Sequence, residues 1–577
     1  MNTHWKLFYN TKEEREEALS KYKEKVEYLN SLSEALFEST TEWEKKVETY
    51  LNEKNALEDL SAIGMDTRLA LSCDSENAEL KKFLSRYEEE EAKKSLHESR
   101  FSAFLNRIEG LENKLSTPVL KAHRYFILKT KENFSHTLSE NEEKLLSLTE
   151  TFASNMWEKM WEELTSNLEG EYEGKSINLS SLRALAYNKD KDTRKSAYEA
   201  ELESYKKIEV PASYCLNAIK KQVSKVSKLR GYSSVLHLTC KDSRISPKCL
   251  DAMFSTLNKN IDDIRKYFTL KAQMLGYDNA LPFYELFAPV SKTPLSFTLE
   301  EAKDTVLVAF YAYSKKLGDF AENSFKNSHL DLLPRKGKVG GGFCETIHLF
   351  KQSRILINFE GSFNDVLTIA HELGHAYHSY LLKDDTPLNA DYPMPIAETA
   401  SNFCEALVID YCLKGADKEK GKEVLENELL SATQSLVDIY SRFIFEKNVI
   451  EESEKGFLSS KELSNIMVEA QKTTYGSALS SYHEYMWICK PHYYDAKYNY
   501  YNFPYAFGYL LSRVLFAKYK EDKAAFLPLY DNIFSLTGTN DIKDVLYIAN
   551  IDIEKEYFWQ KGIDEILLNI KRLRETL

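Results

Sequence analysis

The sequence predicts a mainly α-helical protein with two lobes, and three observations support this fold class. The chain has 577 residues but only 20 glycines and 13 prolines, about half the usual share of residues that interrupt helices. Glutamate and lysine recur four residues apart, as in Glu89 to Lys93 and Glu90 to Lys94, which is the spacing of neighbours on a helix surface. A chain of this length usually exceeds one hydrophobic core, so a second lobe is expected.

The first predicted lobe covers residues 1–190, and the second covers residues 191–577. Amphipathic periodicity over residues 12–166 predicts long helices. The stretch 167–182 carries two glycines in an alternating polar pattern and predicts either a small hairpin or an exposed excursion. Helical periodicity resumes near residue 192, so we place the boundary between the lobes just before it.

A glycine-rich stretch, GGG at residues 340–342, ends the next helical region and precedes a β-rich segment. Residues 354–359 (RILINF) predict a strand, whose edge could pair with an extended peptide. A mobile flap and an ordinary tight turn are equally compatible with the three glycines. Helices return after residue 359, interrupted by a tyrosine-rich segment at 482–505.

Charge and composition narrow the functional classes. The net charge is −13 and no basic block occurs, which argues against nucleic-acid binding through phosphates. No stretch has the apolar length of a signal peptide or a membrane span. The eight cysteines form no CxxC pair, which favours reduced thiols. We expect a cytoplasmic protein without a membrane or nucleic-acid partner, and the sequence does not indicate an oligomeric state.

A helix is predicted over residues 363–382. Ser362 and Asp365 have the spacing of a capping box just before an apolar run. Gly374 removes side-chain bulk from one flank of this helix. The segment leaves room there for a substrate or for a neighbouring element.

This helix carries the segment AHELGHAYHSYLL, which begins at Ala370. His371 and His375 lie one helical turn apart on one face, so their imidazoles can share one ion. Glu372 points aside and can reach a water molecule without occupying a ligand position. This is the H-E-x-x-H arrangement, in which two histidines bind zinc and the glutamate acts as general base. An ordinary histidine-rich helix is the alternative.

A catalytic zinc ion needs a third protein ligand, and the next predicted helix supplies a candidate. The segment PMPIAETASNFCEALVIDYCL carries Glu398 and Glu405 seven residues apart on one face. Glu398 has apolar neighbours, which disfavours an unpaired charge and makes it the candidate third ligand. Glu405 could accept the free N–H of a ligating histidine. His378 either contacts the site or is a buried structural histidine.

Three segments resemble the oligoendopeptidase F branch of the thimet-oligopeptidase-like metallopeptidases: NFEGSFNDVLTIAHELGHAYHSYLL, MPIAETASNFCEAL and KPHYYDAKYNYYNFPYAFGYLLS. The resemblance implies two helical lobes flanking a deep substrate channel, with a zincin-like core and a small β-sheet. It also implies one Zn²⁺ per chain and short peptides as substrates. Weaker similarity extends over most of the chain.

By position, the resemblance makes His371, His375 and Glu398 the zinc ligands and Glu372 the base. His492 matches the family histidine near the substrate carbonyl. The matching tyrosines, which hydrogen-bond the tetrahedral intermediate, are Tyr501 and Tyr505, with Tyr498 as a competing alignment. The sequence offers more tyrosines here than the family pattern requires.

The metal motif together with this resemblance predicts a zinc endopeptidase that hydrolyses internal bonds of short oligopeptides. Two alternatives remain open. One is a peptide-binding or scaffold protein that keeps the helical channel without turnover. The other is a carboxypeptidase or dipeptidase of the same architecture. Cobalt or manganese often tolerates the same ligands, so the sequence does not fix the metal used in the cell.

Overall fold

A computed structural model describes residues 4–291 and 294–576, and helices dominate it. The predicted mainly α-helical class with a small β-sheet is confirmed. The chain divides into two compact units. The first unit comprises Met1–His136, Ser296–Tyr411 and Lys518–Ile551, and the second comprises Thr137–Leu295, Cys412–Ala517 and Asp552–Leu577. The predicted boundary near residue 190 falls inside the second unit and stays a prediction.

The α-helices lie between residues 12 and 575, separated by turns, loops and the short strands. The first 300 residues contain α1 (Lys12–Leu36), α2 (Trp43–Leu60), α3 (Ala62–Cys73), α4 (Ala78–Ala92), α5 (Lys94–Asn106), α6 (Pro118–Ala122), α7 (Arg124–Phe134), α8 (Glu140–Glu150), α9 (Ser154–Ser166), α10 (Leu179–Ala184), α11 (Lys191–Lys206), α12 (Glu209–Leu229), α13 (Val235–Asp242) and α14 (Pro247–Met274). The remainder contains α15 (Leu299–Tyr313), α16 (Lys315–Lys326), α17 (Phe363–Leu381), α18 (Met394–Lys414), α19 (Lys418–Thr433), α20 (Ile439–Ser453), α21 (Ser460–Tyr475), α22 (Met486–Cys489), α23 (Phe503–Glu521), α24 (Lys523–Ser535), α25 (Ile542–Tyr547) and α26 (Glu556–Glu575).

Shorter turns link several of these helices. Single 3₁₀ turns occupy Leu111–Asn113, Leu185–Tyr187, Phe283–Glu285, His348–Phe350, Pro387–Asn389, Gly476–Ala478 and Pro491–Tyr494. One π-helical turn, Gln434–Asp438, joins α19 to α20. Such π turns are rare and concentrate at functional sites.

Local sequence determines where the long helices begin and which face they bury. At the start of α1, the Thr11 hydroxyl accepts from the Glu14 N–H and the Glu14 carboxylate accepts from the Thr11 N–H, which is a capping box. The buried side chains of α1 recur every three or four residues: Leu19, Tyr22, Val26 and Leu29. Among the described residues, no helix combines the length and the apolar character needed to cross a membrane.

The predicted hairpin is present in the second unit. Strands β1 (Glu169–Tyr172) and β2 (Lys175–Asn178) pair antiparallel. Glu173 and Gly174 form the two-residue turn between them, with φ of 50° and 74°. Positive φ at both turn residues matches the right-handed twist of the flanking strands.

The second sheet lies in the first unit and has three strands. They are β3 (Leu330–Asp331), β4 (Phe343–Ile347) and β5 (Gln352–Leu356). The strand predicted at 354–359 is therefore β5, displaced by two to three residues. The order β3-β5-β4 makes β5 the central strand. The expectation that this strand offers an edge to a peptide was wrong, because β3 and β4 already occupy both of its sides.

Candidate metal centre

Helix α17 presents His371 and His375 on one face. Its start is fixed as predicted, by the Ser362 and Asp365 capping box. The Nε2 atoms of the two histidines lie 3.1 Å apart, and both side chains are half-buried. This spacing follows from one helical turn between the residues.

Helix α18 brings Glu398 to the same point. One ligand atom from each of His371, His375 and Glu398 lies within 4.8 Å of the other two. The Glu398 Oε2 atom is 3.5 Å from Nε2 of His371. Glu398 is only 7% exposed, and its Oε2 has no hydrogen-bond partner. A buried carboxylate oxygen without a partner is costly, so these three groups fit a shared divalent cation. Two imidazole nitrogens and one carboxylate oxygen suit zinc.

Gly374 permits the close approach of α17 and α18. A Cβ atom at this position would lie 2.7 Å from the Ser401 Cα and 2.9 Å from the Ala400 carbonyl oxygen. Both neighbours belong to the backbone and cannot move aside as a side chain can. The room predicted beside Gly374 is therefore filled by the helix that carries Glu398.

Glu405 orients the first histidine. Nδ1 of His371 donates to the Glu405 Oε1 at 2.5 Å, which leaves Nε2 of His371 facing Glu398. Burial alone would lower the pKa of His371, but the Glu405 hydrogen bond and the nearby carboxylates raise it to about 9. Glu405 thus makes the contact that the sequence suggested, and such partners tune metal affinity.

Glu372 is a buried carboxylate beside this cluster. Its side chain is 6% exposed, and burial raises its pKa to about 7 despite the opposing effect of His371. A carboxylate with a pKa near neutrality is suited to accept and return a proton. The charge of Glu372 also helps to raise the pKa of the Cys344 thiol, after burial, because β4 runs past this part of α17.

His378 has a different environment. It is 1% exposed, stacks on Tyr392 with ring centroids 3.8 Å apart, and its Nε2 hydrogen-bonds the Thr537 hydroxyl at 2.8 Å. Burial lowers its pKa to about 3, so the ring is neutral at pH 7. These contacts favour the structural alternative that the sequence left open for this histidine.

The predicted tyrosines and His492 lie together in the second unit. His492 belongs to the turn Pro491–Tyr494, and its ring is 6.1 Å from that of Tyr501. The hydroxyls of Tyr501 and Tyr505 are 3.3 Å apart. Tyr498 is 60% exposed, and its ring lies 6.1 Å from the Tyr501 ring. The structure therefore brings all four residues into one cluster.

His492 is a neutral imidazole in this cluster. Burial, followed by the charges of Arg442 and Lys220, holds the pKa of His492 well below its usual value. Its Nε2 is buried and has no hydrogen-bond partner. A neutral ring with an unpaired nitrogen can exchange a hydrogen bond with a bound molecule.

Two structural neighbours of the predicted site residues were not identified from the sequence. Strand β4, with Cys344 beside Glu372, was not singled out, although the three glycines before it were an available signal. Thr537 was missed as the partner of His378 because the two are 159 residues apart. No local pattern marks that pairing.

Comparisons with known proteins agree over most of the chain. The family profile described as peptidase family M3 matches residues 184–565, and one described as oligopeptidase F matches residues 95–169. The group B oligopeptidase PepB of Streptococcus agalactiae is 26% identical over 452 residues, 75% of this chain and 72% of that protein. The oligopeptidase PepF of Bacillus subtilis is 24% identical over 477 residues, 78% and 70% of the two chains.

Solved structures share the fold. A putative peptidase from Chlamydophila abortus superposes with a TM-score of 0.81 at 23% identity, covering 92% of this chain and 91% of that one. The oligoendopeptidase F of Enterococcus faecium gives 0.70 at 18% identity, covering 97% and 99%.

Proposed function

The chain belongs to peptidase family M3, a family of metallopeptidases, and we propose that it is a zinc-dependent endopeptidase that cleaves internal bonds of short oligopeptides. The observation that carries the proposal is the convergence of His371, His375 and Glu398, with the unpaired buried oxygen of Glu398. The names of the relatives, which include oligopeptidases and oligoendopeptidases, support the choice of substrate.

His371, His375 and Glu398 would hold the ion, and Glu405 would keep His371 in the tautomer that offers Nε2. When bound, zinc supplies a Lewis acid that lowers the pKa of water from 15.7 to about 7. Glu372 would take the proton of the attacking water and deliver it to the leaving amine. Its burial supports this role, because the raised pKa lets the carboxyl exchange protons near pH 7.

His492, Tyr501 and Tyr505 would donate hydrogen bonds to the oxyanion that develops on the substrate carbonyl. The support is their grouping within the second unit and the resemblance of this segment to the family pattern. A well-placed donor of this kind contributes roughly 3 to 4 kcal/mol. Tyr498 is the less favoured of the tyrosines because it is largely exposed.

Strand β4 is a better candidate than β5 to pair with an extended peptide. It has a strand neighbour on one side only within the described part of the chain. It also passes near Glu372, as the effect on Cys344 indicates. Pairing through the backbone is indifferent to side chains, so a loose sequence preference is expected.

The test is mass spectrometry of peptides of graded length, each prepared with free ends and with both ends blocked, after incubation with the metal-loaded protein. We expect internal cleavage up to a length limit, loss of cleavage with a chelator, and recovery with zinc. Cleavage that requires a free carboxyl terminus would instead establish the carboxypeptidase alternative. Peptide binding without any cleavage would establish the scaffold alternative.

A further inference from the structure

The second unit contains a cavity of about 380 Å³ that plays no part in the proposed chemistry. This volume lies within the range of small-molecule sites. Aromatic rings form much of the wall, among them Tyr198, Phe268, Phe283 and Phe287. Ala184 and Tyr187 line the cavity and are exposed to solvent, so the cavity opens to solvent beside them. Its shape and lining suit a molecule with an apolar ring.

The charges that line the cavity do not balance. Three arginines form ion pairs. Nε of Arg183 lies 3.3 Å from Oε1 of Glu201, and Nη2 of Arg194 lies 2.5 Å from Oε2 of Glu285. Arg442 pairs with Asp438. Lys490 lines the same cavity, yet no described residue pairs with its ammonium. These ion pairs leave one positive charge over, so an occupant with one negative charge would neutralise the cavity.

Lys490 is poorly solvated as well as unpaired. Burial, and then the charge of Arg442, hold the pKa of Lys490 below its usual value. An ammonium in such surroundings is unfavourable unless an anion accompanies it. A carboxylate that reached Lys490 would remove that cost.

Two further wall residues have unused polar atoms. His483 is 2% exposed, and neither ring nitrogen makes a hydrogen bond, although Nε2 is 3.5 Å from Glu201. The Nε atom of Arg442 is also buried without a partner. Buried polar groups are seldom left unsatisfied in a finished core. Their position along one cavity points to a polar group of a ligand.

The π-helical turn forms part of the same wall. Gln434 and Asp438, its first and last residues, both line the cavity. The turn places Asp438 where it pairs with Arg442. An irregular helical turn at the cavity is an observation independent of the charges, and such turns concentrate at functional sites.

We propose that this cavity binds a small organic acid with an aromatic ring, whose single carboxylate is held by Lys490 while the ring lies against Phe268, Phe283 and Phe287. The carboxylate could belong to a free aromatic acid or to an aromatic residue at the end of a peptide. The proposal does not depend on the peptidase assignment, because it concerns binding alone.

The test is isothermal titration calorimetry with the full, metal-loaded protein. The probes are 3-phenylpropionate, N-acetylphenylalanine, and N-acetylphenylalaninamide as the matched neutral control. We expect the acids to bind and the amide to bind about tenfold more weakly or not at all, since a hydrogen bond to a charged group is lost. Tighter binding of N-acetylphenylalanine than of 3-phenylpropionate would identify a peptide end as the source.

Three variants locate the site. Lys490→Met should weaken binding of the acids about tenfold or more without affecting the amide, and Lys490→Arg should restore binding by keeping the charge. Ala184→Trp, at an exposed position of the mouth, should block binding while preserving the core. Equal affinity of acid and amide, or unchanged affinity in both Lys490→Met and Ala184→Trp, would overturn the proposal. The latter result would mean that the acids bind elsewhere, for instance at the metal centre.

Discussion

At the scale of single residues, the candidate metal centre combines side chains of one helix with side chains that depend on the pairing of two helices. His371, Glu372 and His375 occupy one helix, so their spacing alone fixes their relation. Glu398 and Glu405 depend on the pairing of two helices, which the sequence could suggest only through a second carboxylate-bearing segment. The unpaired oxygen of Glu398 and the hydrogen bond from His371 to Glu405 required the structure.

Replacing Glu372 by glutamine should abolish nearly all peptidase turnover while zinc stays bound. The amide keeps the size of the side chain but cannot accept a proton from water. Turnover is measured with a quenched short peptide, and bound zinc by atomic absorption. Wild-type turnover in Glu372→Gln would exclude this residue as the base.

Removing the carboxylate in Glu398→Ala should lower the zinc content of the purified protein strongly. Glu405→Gln is the matched variant, because Glu405 contacts the proposed ligand His371 and is not itself a proposed ligand. It should weaken zinc affinity by a smaller factor, about 10- to 100-fold, measured by competition with a chromophoric chelator. Full zinc occupancy in Glu398→Ala would point to another ligand.

A histidine outside the candidate metal centre should make stability depend on pH. His97 is fully buried, with Nδ1 bonded to the Tyr50 hydroxyl at 2.9 Å, and burial lowers its pKa to about 3. Below the ordinary pKa of about 6.5 the unfolded chain binds a proton that the folded chain excludes. The free energy of unfolding should therefore fall as pH falls from 6.5, by up to about 1.4 kcal/mol per pH unit.

Urea unfolding of the wild type and of His97→Gln at pH 7 and pH 5 tests this dependence. The stability difference between the two proteins should shift in favour of the variant at pH 5, because glutamine does not titrate. An identical difference at both pH values would show that His97 is protonated to the same extent in the folded and unfolded chain.

At the scale of helices and strands, the close crossing of α17 and α18 at Gly374 brings the proposed ligands together. Gly374→Ala should destabilise the protein by roughly 1 to 3 kcal/mol, since the added methyl meets the backbone of Ser401 and Ala400. Zinc affinity should fall with it. Gly415→Ala is the control, because a Cβ atom there meets nothing within 4 Å. Equal melting temperatures of the two variants would contradict the tight crossing.

The sequence predicted some of these helices and strands correctly and others not at all. The capping box at Ser362 and the hairpin at 167–182 were predicted because their signals are local. The central place of β5 could not be predicted, since β3 has only two residues, Leu330–Asp331, and carries no pattern. Strand order depends on pairing between residues far apart in the sequence, and no local sequence pattern encodes that pairing.

At the scale of the whole molecule, each unit is built from three separate stretches of chain. The division at residue 190, predicted from the sequence, assigned each lobe one continuous range of residues. Contacts between distant stretches hold each unit together. The Tyr377 hydroxyl, for example, donates a hydrogen bond to Asp531, which is 154 residues away. Such pairs leave no periodic trace in the sequence.

Removing the metal should destabilise the first unit selectively. An ion held by α17 and α18 would stabilise that unit by about 2.7 kcal/mol when free zinc exceeds its dissociation constant 100-fold. Hydrogen exchange of the zinc-loaded and chelated protein should show faster exchange in α17 and α18 after chelation. Helices α14 and α26 belong to the second unit and provide the internal control. Unchanged exchange in α17 would contradict a metal bound there.

The contact of α24 with α17 has a consequence for synthesis. Asp531 and Thr537, which support Tyr377 and His378, leave the ribosome more than a hundred residues after the two histidines of the motif. Until then the nascent polypeptide carries the histidine helix α17 without its α24 partner. We expect a chain truncated before residue 523 to lack peptidase activity even though it contains every proposed ligand, so that activity would appear only after α24 has been synthesised.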